Sequence, residues 1–351
     1  MERAMYCLDS ILRENIKRLK PYSSARDDFS GEASIWIDAN ENPFDTGVNR
    51  YPDPHQKELK ARLATVKEVS VNSLFIGNGS DEIVDLLYRI VCQPSIDNVI
   101  VMPPTYGMYA VAAEINDVEV RKVYLKENFS IDEERIMASV DANTKLIFIC
   151  TPNNPTGSVI PLEVVERIAT NFKGILVVDE AYIDFTSEPS AATLISRFPN
   201  IFVLQTMSKA WGLAGVRVGV GIASEELVKV LDKVKAPYNV SNLSQLKAIE
   251  ALSSNQSFTQ KLETILEQRE VLAQELAELD VVEKVYPSAA NFLLVRFKDT
   301  ARVFSYLMQN GIVARDRSKE MWCDGCIRLT VGTPDENKQV VNVLTRYIST
   351  L

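Results

Sequence analysis

The sequence predicts an α/β fold, with a large domain on a mostly parallel seven-stranded sheet and a small α+β domain after it. Three observations carry this expectation. Between residues 74 and 222 short apolar runs alternate with amphipathic helical patterns, the order that sets parallel strands side by side through helical crossovers. Helical patterns over 225–235, 243–253 and 258–279 then form one long passage. Beyond it the alternation becomes sparser, and 351 residues suffice for one large domain and one smaller.

The elements follow in order. Segment 8–19 sets Leu8, Ile11, Leu12, Ile16 and Leu19 at helical spacing and stops before Pro21. It lies outside the parallel-sheet pattern, so residues 1–34 are expected to pack on the smaller domain. Residues 35–54 form a connection rich in Pro, Asn and Asp without periodicity, and a long irregular stretch in a compact protein is often functional. A helix is read over 56–69, with the single histidine, His55, near its first turn. Strands are expected at 74–76, 98–101, 119–124, 145–150, 175–178, 201–204 and 218–222, and helices at 81–91, 106–114, 132–140, 161–171 and 191–198. The smaller domain takes strands at 281–286, 292–297, 312–314 and 327–331, a helix over 300–310 and a last helix from Pro334. The divisions are therefore 1–34, 35–245 and 246–351.

Composition narrows the function. A net charge of −9 and a pI near 5.0 argue against nucleic acid or an anionic membrane as a partner, so an anionic substrate needs local arginines. No apolar run approaches the roughly 20 residues of a membrane span. No signal-type core stands near Met1, and five scattered cysteines suit free thiols, so a cytoplasmic location is expected. Cys323-Asp324-Gly325-Cys326 is a C-x-x-C without the second pair that zinc requires, and no metal is expected. With one histidine, most hydrolase and zinc-protease arrangements are weak.

The chemistry concentrates on Thr206-Met207-Ser208-Lys209-Ala210-Trp211-Gly212-Leu213-Ala214-Gly215-Val216-Arg217, between two strand-like runs. A lysine among small and apolar residues loses hydration of its charged form, which makes a neutral nucleophilic amine available at about pH 7. Ser208 adds a hydroxyl, and Arg217, eight positions beyond Lys209, adds a fork that matches a phosphate. Lysine, hydroxyl and arginine suit an aldehyde cofactor with a phosphate tail.

This stretch resembles the attachment-site motif of the fold-type I pyridoxal-phosphate aminotransferases, which runs Thr, apolar, Ser, Lys, small, with a nearby Arg. The resemblance implies the fold-type I architecture and pyridoxal 5'-phosphate as cofactor. Ligands of open α/β sheets sit outside the carboxyl ends of the strands, and other candidates fall there. Asp179 follows one strand; it either caps a helix or meets the protonated nitrogen of the cofactor ring. Thirty positions from Asp179 to Lys209 make about one strand–helix–strand unit, so both can face one cleft. Tyr182 and Asn154, the latter in Asn153-Asn154-Pro155-Thr156-Gly157, are expected to hydrogen-bond the ring oxygen. Ser80 and Asp81, after Gly77-Asn78-Gly79, either cap a helix or complete a phosphate cup. Tyr106 stacks on the ring or packs in the core. Tyr51 resembles the tyrosine that reaches the cofactor phosphate of a neighbouring subunit, which implies a homodimer.

Pro21-Tyr22, Arg50-Tyr51, Asn153-Asn154-Pro155, the lysine motif, Arg315-Asp316 and Arg328 together resemble the histidinol-phosphate aminotransferase family over nearly the whole chain. The resemblance implies amino transfer between L-histidinol phosphate and 2-oxoglutarate, giving imidazole acetol phosphate and glutamate, in histidine biosynthesis. Arg315 and Arg328 would hold phosphate and carboxylate groups, with Tyr22 beside them, although salt bridges and packing explain each residue taken alone. Lys209 would form the imine and then move the α-proton. An aromatic amino acid aminotransferase, a threonine-phosphate decarboxylase-like lyase and a non-catalytic sensor that keeps the cofactor are the competing expectations.

Overall fold

The computed structural model describes residues 6–22, 29, 31 and 33–349. Seven runs become β1 (Leu74–Asn78), β2 (Asn98–Val101), β3 (Glu119–Lys122), β4 (Thr144–Cys150), β5 (Ile175–Asp179), β6 (Ile201–Thr206) and β7 (Val218–Ile222), all largely buried except the charged edge strand β3. They form one sheet in the order β1-β7-β6-β5-β4-β2-β3. β7 is antiparallel to both β1 and β6, and the remaining pairs are parallel. Helices cover both faces, which is why these strands read as nearly continuous apolar runs. Successive side chains serve opposite cores: Leu176 and Val178 join one cluster, Ile175 and Val177 the other.

The second sheet contains β8 (Val282–Val285), β9 (Phe292–Phe297), β10 (Arg315–Asp316) and β11 (Cys326–Thr330), in the antiparallel order β10-β11-β9-β8. Helices Asn255–Ala277, Thr300–Gln309 and Pro334–Ile348 enclose its own core, which includes Leu272, Leu307, Ile327 and Leu344. The last helix is started by a reciprocal capping box between Thr333 and Glu336, with Pro334 at a position where its missing N–H is no loss. β1 to β7 fall within 35–245 and β8 to β11 within 246–351. No helix among the described residues is long and apolar enough to cross a membrane.

The expected docking of the N-terminal segment on the smaller domain is corrected. It forms two short helices, Leu8–Ile11 and Glu14–Arg18, and Leu8, Ile11 and Ile16 enter the large-sheet core beside Leu87 and Leu227. Arg13 Nη1 donates to the Arg89 carbonyl at 3.0 Å and Lys233 Nζ to that of Ile16 at 2.6 Å. An apolar stripe states what will be buried and is silent on its partner. The helix expected over 191–198 is only a 3-10 turn, Ala191–Leu194, opened by a Ser190 cap. The strand expected at 312–314 forms instead at Arg315–Asp316, where the chain can pair with β11.

Candidate active site

Only β7 is reversed, so the carboxyl ends of β1, β2, β4, β5 and β6 open on one edge together with the start of β7. A cavity of about 590 Å³ lies there. The strand ends deliver their polar side chains to it: Ser80 and Asp81 after β1, Tyr106 after β2, Asn154 after β4, Asp179 at the end of β5 with Tyr182 beyond it, and Ser208 and Lys209 after β6. Arg217, just before β7, completes this side.

One end of the cavity is made for an anion. Helix Ser80–Val91 begins there, so free N–H groups and the positive end of its dipole face the space. Gly79 has φ +81°, and a Cβ on it would run into the Arg217 guanidinium; Gly219 lets β7 lie directly on the Gly79-Ser80 backbone. Arg217 is itself left-handed at φ 56°, and its Nη2 stands 3.6 Å from Asp81 Oδ2. The Tyr106 hydroxyl donates to Asp81 Oδ1 at 3.0 Å. Ser208 Oγ is held at 3.0 Å by the Thr206 hydroxyl.

The middle carries the acid–base groups. Asp179 is 4% exposed, and its two oxygens accept from the Ala181 N–H at 3.0 Å and the Tyr109 hydroxyl at 2.5 Å. Burial pushes its pKa up to about 6 with help from Asp81, while both donors and Lys209 oppose the rise. Lys209 extends into the cavity, its Nζ 5.7 Å from the Tyr182 ring centroid. Desolvation by the cavity walls, then Arg328 and Arg217, lower its pKa, against the pull of Asp179 and Asp81. A lowered lysine pKa favours the neutral amine. The Tyr182 ring sits edge-on to Phe292 at 5.1 Å, and burial raises its phenol pKa.

The far wall comes from the second sheet. Arg315 of β10 stands opposite Arg328 of β11, and both line the cavity. Arg328 lies 5.2 Å above the Phe292 ring and donates to Asn154 Oδ1, which joins the two sheets. Burial and the neighbouring charges of Arg317 and Arg315 lower its pKa. Asn154 is steadied by the turn it belongs to, where Asn153 bonds to Pro104, Thr105 and Thr156.

Two residues absent from the sequence expectations take part. Arg317 lines the cavity, with Glu320 Oε1 at 2.6 Å from its Nη1; the alternation Arg315-x-Arg317 was the available signal. Tyr109 holds Asp179 from behind and has the sequence signature of an ordinary core aromatic. Tyr22 and Tyr51 do not line this cavity. Tyr22 is 71% exposed; Tyr51 stacks on Tyr238 at 4.4 Å beside a separate hollow of about 680 Å³. Cys323 and Cys326 are buried free thiols, burial pushing Cys323 up to about 12. Among the described residues no cluster of His, Cys, Asp and Glu suits a metal.

Fold and site define a transaminase, and the chain belongs to the class I and II aminotransferase family, whose model matches residues 32–344. Its relatives are named more narrowly. A histidinol-phosphate aminotransferase of Cytophaga hutchinsonii is 50% identical over 346 residues, covering 97% of this chain and 99% of that protein. The crystal structure of histidinol-phosphate aminotransferase from Clostridium acetobutylicum matches with TM-score 0.79 at 25% identity, covering 87% of this chain and 92% of that one. The enzyme of that name from Sinorhizobium meliloti, solved in complex with pyridoxal-5'-phosphate, matches with TM-score 0.77 at 26% identity, over 86% of this chain and 83% of the other.

The donor set fits that cofactor. An amine and a carboxylate share the cavity, and an anion cradle closes one end where glycines leave room for the Arg217 guanidinium.

Proposed function

We propose that this chain holds pyridoxal 5'-phosphate in the strand-end cavity and transfers an amino group between L-histidinol phosphate and 2-oxoglutarate, giving imidazole acetol phosphate and glutamate, in histidine biosynthesis. One observation carries the reading: Lys209 and Asp179 share a cavity that has an anion cradle at one end and Arg315, Arg317 and Arg328 at the other. A site with two anion-binding ends suits a phosphorylated cofactor and a phosphorylated or dicarboxylate substrate.

Ser80, Ser208, Arg217 and the start of helix Ser80–Val91 hold the cofactor phosphate, with Asp81 orienting Arg217. Tyr106 would stack on the ring, Asn154 and Tyr182 would donate to its oxygen, and Asp179 would keep its nitrogen protonated, since all four side chains line the one cavity. When bound, the cofactor supplies an electron sink for the charge left as the substrate α-proton departs. Lys209 would carry the cofactor through its amine between turnovers, and the lowering of its pKa by burial favours the neutral form that would take the substrate proton and return it. Arg328 and Arg315 grip the phosphate of one substrate and the distal carboxylate of the other. Their fixed wall keeps the reacting carbon within reach of Lys209, the positioning on which much of the rate depends.

The active unit is a homodimer in which Tyr51 serves the phosphate of the neighbouring subunit; its place outside its own cavity supports this. Residues 35–245 form the cofactor domain and 246–351 the smaller one. Tyr22 meets the substrate from the exposed N-terminal side, and the protein works in the cytoplasm.

A substrate panel on purified, cofactor-loaded protein tests the reading. Histidinol phosphate should consume 2-oxoglutarate and outpace phosphate-free aromatic amino acids. Equal rates for the aromatic amino acids, or carbon dioxide release from threonine phosphate without amino transfer, would reject it.

A further inference from the structure

We propose that Tyr109 is a positioning residue that keeps Asp179 ionised and aimed at the cavity. The inference rests on the cofactor reading above, and it concerns a side chain that does not line the cavity.

Tyr109 belongs to helix Met108–Ile115, which packs against helix Ser80–Val91, β2 and β3, and it is fully buried. Its ring is clamped: it stacks on Phe148 at 4.6 Å, and Tyr106 meets it edge-on at 5.5 Å. Tyr88 stacks on the same Phe148 at 5.7 Å, and its hydroxyl donates to the Tyr109 carbonyl at 2.8 Å. The clamped ring brings the Tyr109 hydroxyl to Asp179 Oδ2 at 2.5 Å, with the Cys150 thiol also beside it. The other carboxylate oxygen takes the Ala181 N–H at 3.0 Å. Each carboxylate oxygen thus accepts one hydrogen bond, and a charged acceptor makes each bond stronger than a neutral one.

The need for such a donor follows from the surroundings. Asp179 is buried, which disfavours its charge, and Asp81 adds a second negative group on the cavity side. Cys150 lies near it at the end of β4, and Tyr106 and Tyr182 approach from their loops, their neutral phenols adding no countercharge. The opposing groups are Tyr109, the Ala181 N–H and Lys209. Lys209 opposes the rise only while protonated, whereas the two hydrogen bonds hold the anion whatever the state of that amine, and they aim it before any cofactor cation meets it. A donor to the ionised form lowers a carboxyl pKa, so its loss must raise it.

The test uses cofactor-loaded Tyr109→Phe, which keeps the ring and deletes the donor, with Tyr109→Leu as a second apolar variant should Phe fold poorly. The pH dependence of the bound cofactor's visible absorbance and the acid limb of kcat are both followed. In each variant the acid limb should move to higher pH by about one unit, with KM for the amino donor nearly unchanged. In an Asp179→Asn background, Tyr109→Phe should leave the titration where Asp179→Asn put it. A merely structural tyrosine lowers the melting temperature and leaves the acid limb in place, and that result would overturn the inference. Wild-type protein that takes up no pyridoxal phosphate overturns the cofactor reading itself, and this inference with it.

Discussion

Arg328→Gln separates binding from folding at one position. In the structure Arg328 is desolvated, stands over Phe292, and shares the cavity wall with Arg315 and Arg317, whose like charges oppose its own. A charge-assisted hydrogen bond contributes about 1.5–3 kcal/mol, and a two-pronged contact to a carboxylate or phosphate lies at the upper end. Loss of about 3 kcal/mol is roughly a hundredfold in kcat/KM. Folding should respond in the opposite sense. Glutamine ends short of the place where Arg328 Nη1 meets Asn154 Oδ1, but the substitution removes one of three crowded, desolvated cations, so the melting temperature should hold or rise. Steady-state kinetics with each substrate, beside thermal unfolding of the same preparation, gives both numbers. A kcat/KM within about threefold of wild type would refute the assignment of Arg328 as the anion anchor, as would a loss of activity that merely tracks a loss of stability.

Three further outcomes are expected. Borohydride reduction of the loaded protein should attach the cofactor to Lys209, and Lys209→Ala should lose at least about 10⁴-fold in turnover, since proton transfer and attachment fail together; label on another lysine would sink the mechanism. Asp179 has a folded pKa near 6, above the ordinary carboxylate value, so the stability it contributes to cofactor-free protein is present at low pH and lost as pH rises through about 4 to 6. Cofactor-free Asp179→Asn should therefore be at least as stable as wild type at neutral pH while binding pyridoxal phosphate poorly, with denaturant midpoints across pH as the check. Gly219→Ala places a methyl group on the Gly79-Ser80 backbone. It should cost about 1–3 kcal/mol of stability, and cofactor affinity at least tenfold, measured by urea unfolding and by absorbance titration.

Much of this molecule is legible in its residue order, and the exceptions have physical reasons. β4, β5 and β6 are buried on both faces, so their segments must be apolar throughout, and that is a local signal. Asn154, Asp179 and Lys209 were expected at one cleft because each stands at or just past the end of such a run, and all three line the strand-end cavity. Tyr109 was missed because a phenol in an apolar helix has the same spacing as any core residue; only the approach of that helix to β5 shows what its oxygen touches. Arg317 lies just past the short strand β10, and the strand was expected three residues too early. Of the stripe expected over residues 8–19, Leu8, Ile11 and Ile16 are buried and Leu19 is exposed, and the partner was expected wrongly, because amphipathicity carries no address.

By itself the sequence determined most of the segments that form strands or helices, that one lysine lies among apolar and small residues, and which arginines and carboxylates stand near strand ends. These follow from nearest-neighbour chemistry, which period, composition and spacing record. Only the tertiary structure decided that β7 runs backwards between β1 and β6, that Arg328 of one sheet bonds to Asn154 of the other, and that the N-terminal helices lie on the larger core. Those are contacts between residues far apart along the chain, selected by the packing of whole faces, and no local pattern encodes them.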